Sequence, residues 1–89
     1  MSPNRLSNLT IVVVGDHHQV RRYLGAYLYH LGAYVVAAEN AFVGLEAVRT
    51  YRPNLAVSDI STPGRDGFAL LRDIRALGPD AGGNLPVIA

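Results

Sequence analysis

Short apolar runs alternate with amphipathic segments along most of the chain. Residues 11–14 are apolar and β-branched and stop at Gly15, which is typical of a strand buried on both faces of a parallel sheet. Over residues 18–31, apolar side chains recur at three- and four-residue spacings, and Gly32 follows where a helix C-cap belongs. These side chains are Val20, Leu24, Tyr27, Leu28 and Leu31. The pattern predicts a buried strand followed by an amphipathic helix.

The same alternation continues through the rest of the sequence. Asn40 has the position of an N-cap before a second helix, whose Leu45 and Val48 face inward. Turn residues separate the remaining elements. The predicted strands are Tyr34–Ala38, Leu55–Ser58 and 86–89, the predicted helices are 42–51 and 68–77, and a loop covers 78–85. The order βαβαβαβ predicts an α/β domain in which helices cover a parallel sheet.

Composition is that of one globular domain and excludes several classes of function. The chain has 89 residues, 49% hydrophobic and 17% charged, with no Cys, so disulfides and thiolate sites are excluded. No apolar run approaches the roughly 20 residues that span a bilayer, and residues 1–9 predict a short loose arm rather than a secretory signal. We expect a soluble, cytoplasmic protein. Its net charge of +1 comes from eight scattered Arg and no Lys, which argues against nucleic-acid binding by this segment.

Two aspartates follow the first and third strands of the predicted sheet. Ligands of open parallel sheets bind beyond the carboxyl ends of the strands, and these two strands are neighbours in the expected order 2-1-3-4. Asp16 and Asp59 therefore converge on one site beyond the carboxyl ends of these two strands, which we call the mouth. Their oxygens suit a hard cation such as Mg²⁺ there. Spacing alone leaves an equal alternative, in which each Asp is a solvated loop residue or a helix N-cap.

A series of short motifs resembles the receiver domains of two-component response regulators. The most specific motif is 59–67, where Asp59, Pro63 and Asp66-Gly67 have the spacing of that family's phosphoacceptor signature. The other motifs are Val13-Val14-Gly15-Asp16, Val20-Arg21, 53–59 and Leu85-Pro86-Val87-Ile88. The resemblance covers nearly everything after residue 10. It implies a flavodoxin-like, doubly wound parallel sheet.

The resemblance also implies a function for the two aspartates. A histidine kinase or phosphotransfer protein would pass a phosphoryl group to Asp59, and an output domain or partner would receive the signal. Asp16, Asp59 and the backbone carbonyl of Ser61 would bind Mg²⁺, while the side chains of Ser61 and Thr62 would flank the phosphoryl group. Such a domain is not an enzyme, beyond Mg²⁺-dependent self-phosphorylation from a small phosphodonor.

Two departures from the family's pattern affect the site. Gly15 stands where the family usually has the first of two adjacent acids, and losing such an outer-shell group typically costs about 10–100-fold in metal affinity. The family's hydroxyl residue and phosphate-pairing lysine would both follow Ala89, so we expect residues 10–89 to be a receiver domain without its last strand and last two helices. Gly15 favours an alternative, a degenerate receiver that acts as a phosphorylation-independent interaction or dimerisation module, whereas the intact Asp16, Asp59, Pro63 and Asp66-Gly67 favour the phosphoacceptor.

The expected lack of the last strand and last two helices also leads us to predict that two copies of the chain associate. Strand 86–89 would be an unpaired edge, and the sheet face around Val12, Val14 and Val57 would lack its cover, which favours a two-fold homodimer. The first helix also carries three tyrosines at helical spacing, Tyr23, Tyr27 and Tyr29, which we expect in the core and its rim. His17 and His18, beside the mouth, are predicted to be solvated rather than metal ligands.

Overall fold

The structure, a computed structural model, describes residues 6–58 and 66–88, with the backbone alone for residues 66–69. Its four strands form one parallel sheet in the order β2-β1-β3-β4. The strands are β1 (Thr10–Val14), β2 (Tyr34–Ala38), β3 (Leu55–Ser58) and β4 (Val87–Ile88). The predicted doubly wound parallel sheet and its strand order are confirmed. None of the helices in the described residues is long and apolar enough to cross a bilayer.

Three α-helices connect the strands: α1 (His18–His30), α2 (Ala41–Tyr51) and α3 (Asp66–Arg75). The predicted caps are confirmed, since Gly32 has a φ of 103° just after α1 and the Asn40 side chain accepts a hydrogen bond from the Val43 N–H at 2.8 Å. Helix α3 begins and ends two residues earlier than predicted. The predicted loop 78–85 also contains one turn of 3-10 helix, Pro79–Ala81, which the apolar pattern did not reveal because a single turn has no periodicity to detect.

Side chains alternate between the two faces of the sheet, and helices α2 and α3 cover one of them. Val12 and Val14 of β1 point to this face together with Ala56 of β3. They pack against α2 and α3 residues including Val48 and Leu70. The expectation that Val12 and Val14 lack their cover is therefore wrong, because the alternation of side chains along a strand directs these two residues under α2 and α3.

Helix α1 covers the opposite face less completely. Ile11, Val13 and Ala33 are fully buried there, whereas Leu24, Leu28 and Val57 are only half-buried. Among the described residues, α1 itself has none that is buried. Val20 is 54% exposed and Tyr27 is 62% exposed, and Tyr23 and Tyr29 are exposed as well. The prediction that these tyrosines pack in the core and its rim is wrong, because they are mostly exposed and lie on the sides of α1 that face away from the sheet.

Part of the predicted N-terminal arm is held against the domain. Of residues 1–9, the structure describes Leu6 to Leu9. The Leu6 N–H donates to the Leu31 carbonyl at 2.8 Å, and the Leu9 carbonyl accepts from the Tyr34 N–H at 2.8 Å. Both leucine side chains also pack beside the cluster under α1. At Leu6 and Leu9 the chain is packed and hydrogen-bonded rather than loose.

Two glycines within helices meet very different surroundings. A Cβ added at Gly44 in α2 would lie 2.7 Å from a methyl group of Val14, whereas one at Gly25 in α1 would lie 3.5 Å from a methyl group of Val35. The first distance is a clash and the second is ordinary van der Waals contact. Helix α2 therefore approaches β1 as closely as it does because position 44 has no side chain.

We predict opposite effects of the same substitution at these positions. Gly25→Ala should raise the free energy of unfolding by about 0.5–1 kcal/mol, because alanine favours the helix and finds space. Gly44→Ala gains the same propensity but overpacks the contact with Val14, and overpacking typically costs about 1–3 kcal/mol. The net effect should be a loss of about 1 kcal/mol. Urea denaturation of both variants measures the difference, and equal stabilisation by the two would contradict the close approach of α2.

Candidate functional site

The carboxyl ends of β1 and β3 lie side by side at one edge of the sheet. Val14 is in register with Ser58, so the last residues of the two strands lie side by side at this edge. At the opposite end, the Thr10 N–H donates to Asn54 Oδ1 at 2.8 Å, and the Asn54 N–H donates to the Thr10 carbonyl at 2.7 Å. Sequence reasoning missed this reciprocal pair, which holds β1 and β3 in one alignment before their ladder begins.

Asp16 lies at this mouth, and the other predicted site residues are outside the described part of the chain. Asp59 follows Ser58 directly in the sequence, and neither Asp59 nor Ser61 and Thr62 is among the residues that the structure describes. Ser58 itself is only 3% exposed. Asp16 follows the end of β1, which pairs with the end of β3, and the predicted convergence of Asp16 with Asp59 and the ligand roles of Asp59 and Ser61 stay predictions.

Asp16 is a solvent-accessible carboxylate beside a histidine. His17 Nδ1 lies 3.2 Å from Asp16 Oδ1, and both side chains are more than half exposed. Pairs with this exposure are worth about 0–1 kcal/mol, so a bound cation could displace the contact at little cost. The expectation that His17 is solvated fits its exposure, and the structure adds its contact with Asp16.

Arg21 is a part of the mouth that sequence reasoning did not identify. Its Nη1 donates to the Gly15 carbonyl at 2.5 Å, and its Nη2 lies 3.2 Å from His18 Nδ1. In the sequence, Val20-Arg21 is one of the motifs that resemble receiver domains, and the resemblance assigns no role to Arg21. One sequence signal could have pointed to Arg21: it is a cation in the first turn of α1, and no residue from His18 to His30 is acidic.

An apolar cavity of about 170 Å³ opens beside the mouth, between α1 and the ends of β1 and β3. Val13 and Val57 form its floor on the sheet, and Val20 and Leu24 line it from α1. Arg21 extends along the same cavity to reach Gly15. The arginine therefore lies between an apolar surface and the polar mouth.

Asp16 suits a hard divalent cation, although the described residues do not by themselves enclose one. No group of three or more His, Cys, Asp or Glu side chains that could hold a metal occurs among them. Gly15 provides no second acid next to Asp16. An exposed carboxylate of this kind fits Mg²⁺, which takes oxygen ligands and usually keeps several waters.

Most of this chain is similar in sequence to known proteins. A sequence model of the response regulator receiver domain matches residues 11–89. An uncharacterised 14.6 kDa protein from the sodA1 3′ region of Leptolyngbya boryana is 38% identical over 84 residues, which cover 94% of this chain and 63% of that protein. The DNA-binding transcriptional regulator NtrC of Escherichia coli (strain K12) is 38% identical over 76 residues, which cover 85% of this chain and 15% of NtrC.

A solved structure shows the same fold. The receiver domain of Francisella response regulator 1452 superposes with a TM-score of 0.77, covering 90% of this chain and 63% of that one, at 22% sequence identity. At this identity the likeness concerns the fold alone. The chain spans less than two-thirds of the length of each of these three proteins.

Proposed function

The chain belongs to the response regulator receiver family of two-component signalling. We propose that its Asp59 accepts a phosphoryl group with the help of Mg²⁺. The observation that carries the proposal is the register of Val14 with Ser58. A trans peptide places consecutive Cα atoms about 3.8 Å apart, and neighbouring strands lie about 4.8 Å apart. We therefore expect Asp59, the residue that follows Ser58 in the sequence, to lie near the edge where Asp16 is found.

The proposed reaction moves a phosphoryl group from a phosphohistidine to a carboxylate. An oxygen of Asp59 forms a bond to phosphorus while the P–N bond breaks, and the electron pair returns to the imidazole nitrogen of the donor. When bound, Mg²⁺ would neutralise the charge on the phosphoryl oxygens. We assign its protein ligands as Asp16, Asp59 and the backbone carbonyl of Ser61, with the Ser61 and Thr62 side chains flanking the phosphoryl group.

The described residues support this chemistry by position and charge. Ser58 is buried at the end of β3, so the backbone that leads into Asp59 starts from a fixed point. The carboxylate of Asp16 is accessible from the same side. Positioning is the protein's own contribution to phosphoryl transfer, and the Asp16 carboxylate would act by holding the Mg²⁺ that neutralises the charge of the phosphoryl oxygens.

The proposed partners follow from the family. The phosphodonor would be a histidine kinase or phosphotransfer protein in the cytoplasm, and the signal would pass to an output domain or a separate partner. Receiver domains are signalling modules, so the only activity proposed for this chain alone is Mg²⁺-dependent self-phosphorylation. Its domain is proposed to span residues 10–89.

Self-phosphorylation gives a direct test. Incubation with Mg²⁺ and acetyl phosphate should add the mass of one phosphoryl group, and Asp59→Asn should abolish the gain. Asp73→Asn is the matched control, because Asp73 is an exposed carboxylate within α3 and its loss should leave the gain intact. No gain in the unmodified protein over a range of Mg²⁺ concentrations would contradict the proposal in favour of the degenerate receiver.

Gly15 should limit the affinity for Mg²⁺, and Gly15→Asp should raise it about tenfold or more, since added acidic groups near a hard cation increase affinity. The backbone tolerates a side chain here, because Gly15 is not among the described glycines with positive φ. Gly15→Asn is the matched neutral control and should change the Kd far less. Calorimetric titration with MgCl₂ measures all three proteins. An unchanged or weaker affinity in Gly15→Asp would show that position 15 is not beside the metal.

A second function, the interaction module, is favoured by the exposed side chains of α1. Val20 and Tyr27 are mostly exposed and lie on the helix that covers the sheet least completely. We propose that a second copy of the chain covers this face in a two-fold dimer. Covering about 400 Å² of apolar surface at roughly 25 cal/mol per Å² would contribute about 10 kcal/mol, against which the entropy of association acts.

Light scattering over a concentration series tests the dimer. The mass should rise from one to two chains, and Val20→Ser should shift the transition to higher concentration. Phe42→Ser removes an exposed apolar side chain from α2, on the other side of the sheet, and should leave the transition in place. A monomer at every concentration would overturn the dimer, without affecting the phosphoryl-acceptor proposal.

A further inference from the structure

We infer that Arg21 is a positioning residue for the metal site, because it fixes the backbone that carries Asp16. The inference rests on the proposed function, since it concerns the same Mg²⁺ ion. Arg21 would not touch the ion. It would act through the Gly15–Asp16 peptide, to which its guanidinium is hydrogen-bonded at the Gly15 carbonyl.

Gly15 is the point where the mouth most needs such a restraint. A glycine has no Cβ and more conformational freedom than any other residue, and this one directly precedes the proposed ligand Asp16. Its N–H donates to the Ala38 carbonyl of β2 at 3.1 Å. Its carbonyl accepts from Arg21. Both backbone polar groups of Gly15 are therefore held, one by the sheet and one by Arg21.

Arg21 is itself held in several directions. Its backbone N–H donates to the His17 carbonyl at 2.9 Å in the first turn of α1. Its Nη2 lies 3.2 Å from His18 Nδ1, and because a guanidinium has no acceptor, the arginine must be the donor of that bond. The aliphatic part of the side chain lines the apolar cavity beside Leu24 and Val57. A charge-assisted hydrogen bond from so restrained a donor fixes the direction of the Gly15 carbonyl.

The charge of Arg21 and its hydrogen bond have opposite effects on a bound cation. A positive guanidinium near the mouth repels Mg²⁺, so removing it should tighten binding if charge is all that matters. Loss of a group that orients a ligand typically weakens binding about 10–100-fold. The sign of the change in Kd therefore separates a positioning role from a purely electrostatic one.

Arg22 is a matched control on the same helix. It is exposed on the open side of α1, next to Gln19 and Tyr23, and the bonds described above to Gly15 and His18 come from Arg21. Arg21→Gln and Arg22→Gln change the net charge equally. Arg21→Lys keeps the charge and one possible donor but loses the planar fork.

The experiment titrates each protein with MgCl₂ and follows the backbone amide signals of residues 15–17 by NMR. Arg21→Gln should raise the Kd about tenfold, Arg21→Lys should raise it less, and Arg22→Gln should change it less than twofold. Without metal, ¹⁵N relaxation should show increased motion at Gly15 and Asp16 in Arg21→Gln alone. Urea denaturation of each variant checks that the fold is retained.

Three results would overturn the inference. An unchanged or lower Kd in Arg21→Gln would show that the residue acts by charge or not at all, and unchanged relaxation at Gly15 and Asp16 would show that its hydrogen bond does not order the peptide. Equal weakening by Arg22→Gln would show that the effect is not specific to Arg21 and its hydrogen bond to Gly15, since loss of a positive charge alone should tighten binding. If the unmodified protein bound no Mg²⁺, the proposed metal site itself would be wrong, and the role of Arg21 toward it would fall with that site.

Discussion

The pairing of β1 with both of its neighbours is the interaction on which the rest of the structure depends. β1 lies in the middle of the β2-β1-β3 group, and Ile11 to Val14 are all buried. Its alignment with β3 is held at the start by the reciprocal hydrogen bonds between Thr10 and Asn54. Because a parallel register shifts only as a whole, the alignment at this end also determines which residues meet at the mouth.

The two faces of the sheet are covered to different extents, and the reason lies in the helices. On one face, Gly44 lets α2 approach Val14 closely, and α3 adds Leu70 and Ile74 to a fully buried cluster. On the other face, α1 contributes only half-buried leucines. The mouth therefore lies at the end of a sheet with one tightly packed face and one more open face. On the open face, an apolar cavity and the exposed helix α1 lie beside the mouth.

The mouth combines an exposed acid with a backbone held by hydrogen bonds. Asp16 is accessible to solvent, yet the residue before it is bonded on one side to Ala38 and on the other to Arg21. An exposed carboxylate can be reached by a cation from solvent, and a restrained backbone lowers the entropy that binding must remove. The same contacts join α1, β1 and β2, so the geometry at Asp16 depends on all three elements.

The apolar runs predicted the strands, because burial on both faces requires them, and Asn40 and Gly32 predicted helix ends as local signals. The strand order and the family came from the resemblance of short motifs to receiver domains. The convergence of Asp16 with Asp59, which parallel topology predicts, stays a prediction because Asp59 lies outside the described residues. Which side chains of α1 are exposed became clear from the folded structure, because helical spacing does not show how much of a helix its neighbours cover. The structure also revealed the contacts of Asn54 and Arg21. Each of these side chains is hydrogen-bonded to the backbone of another part of the chain, and no periodic spacing in the sequence predicts such bonds.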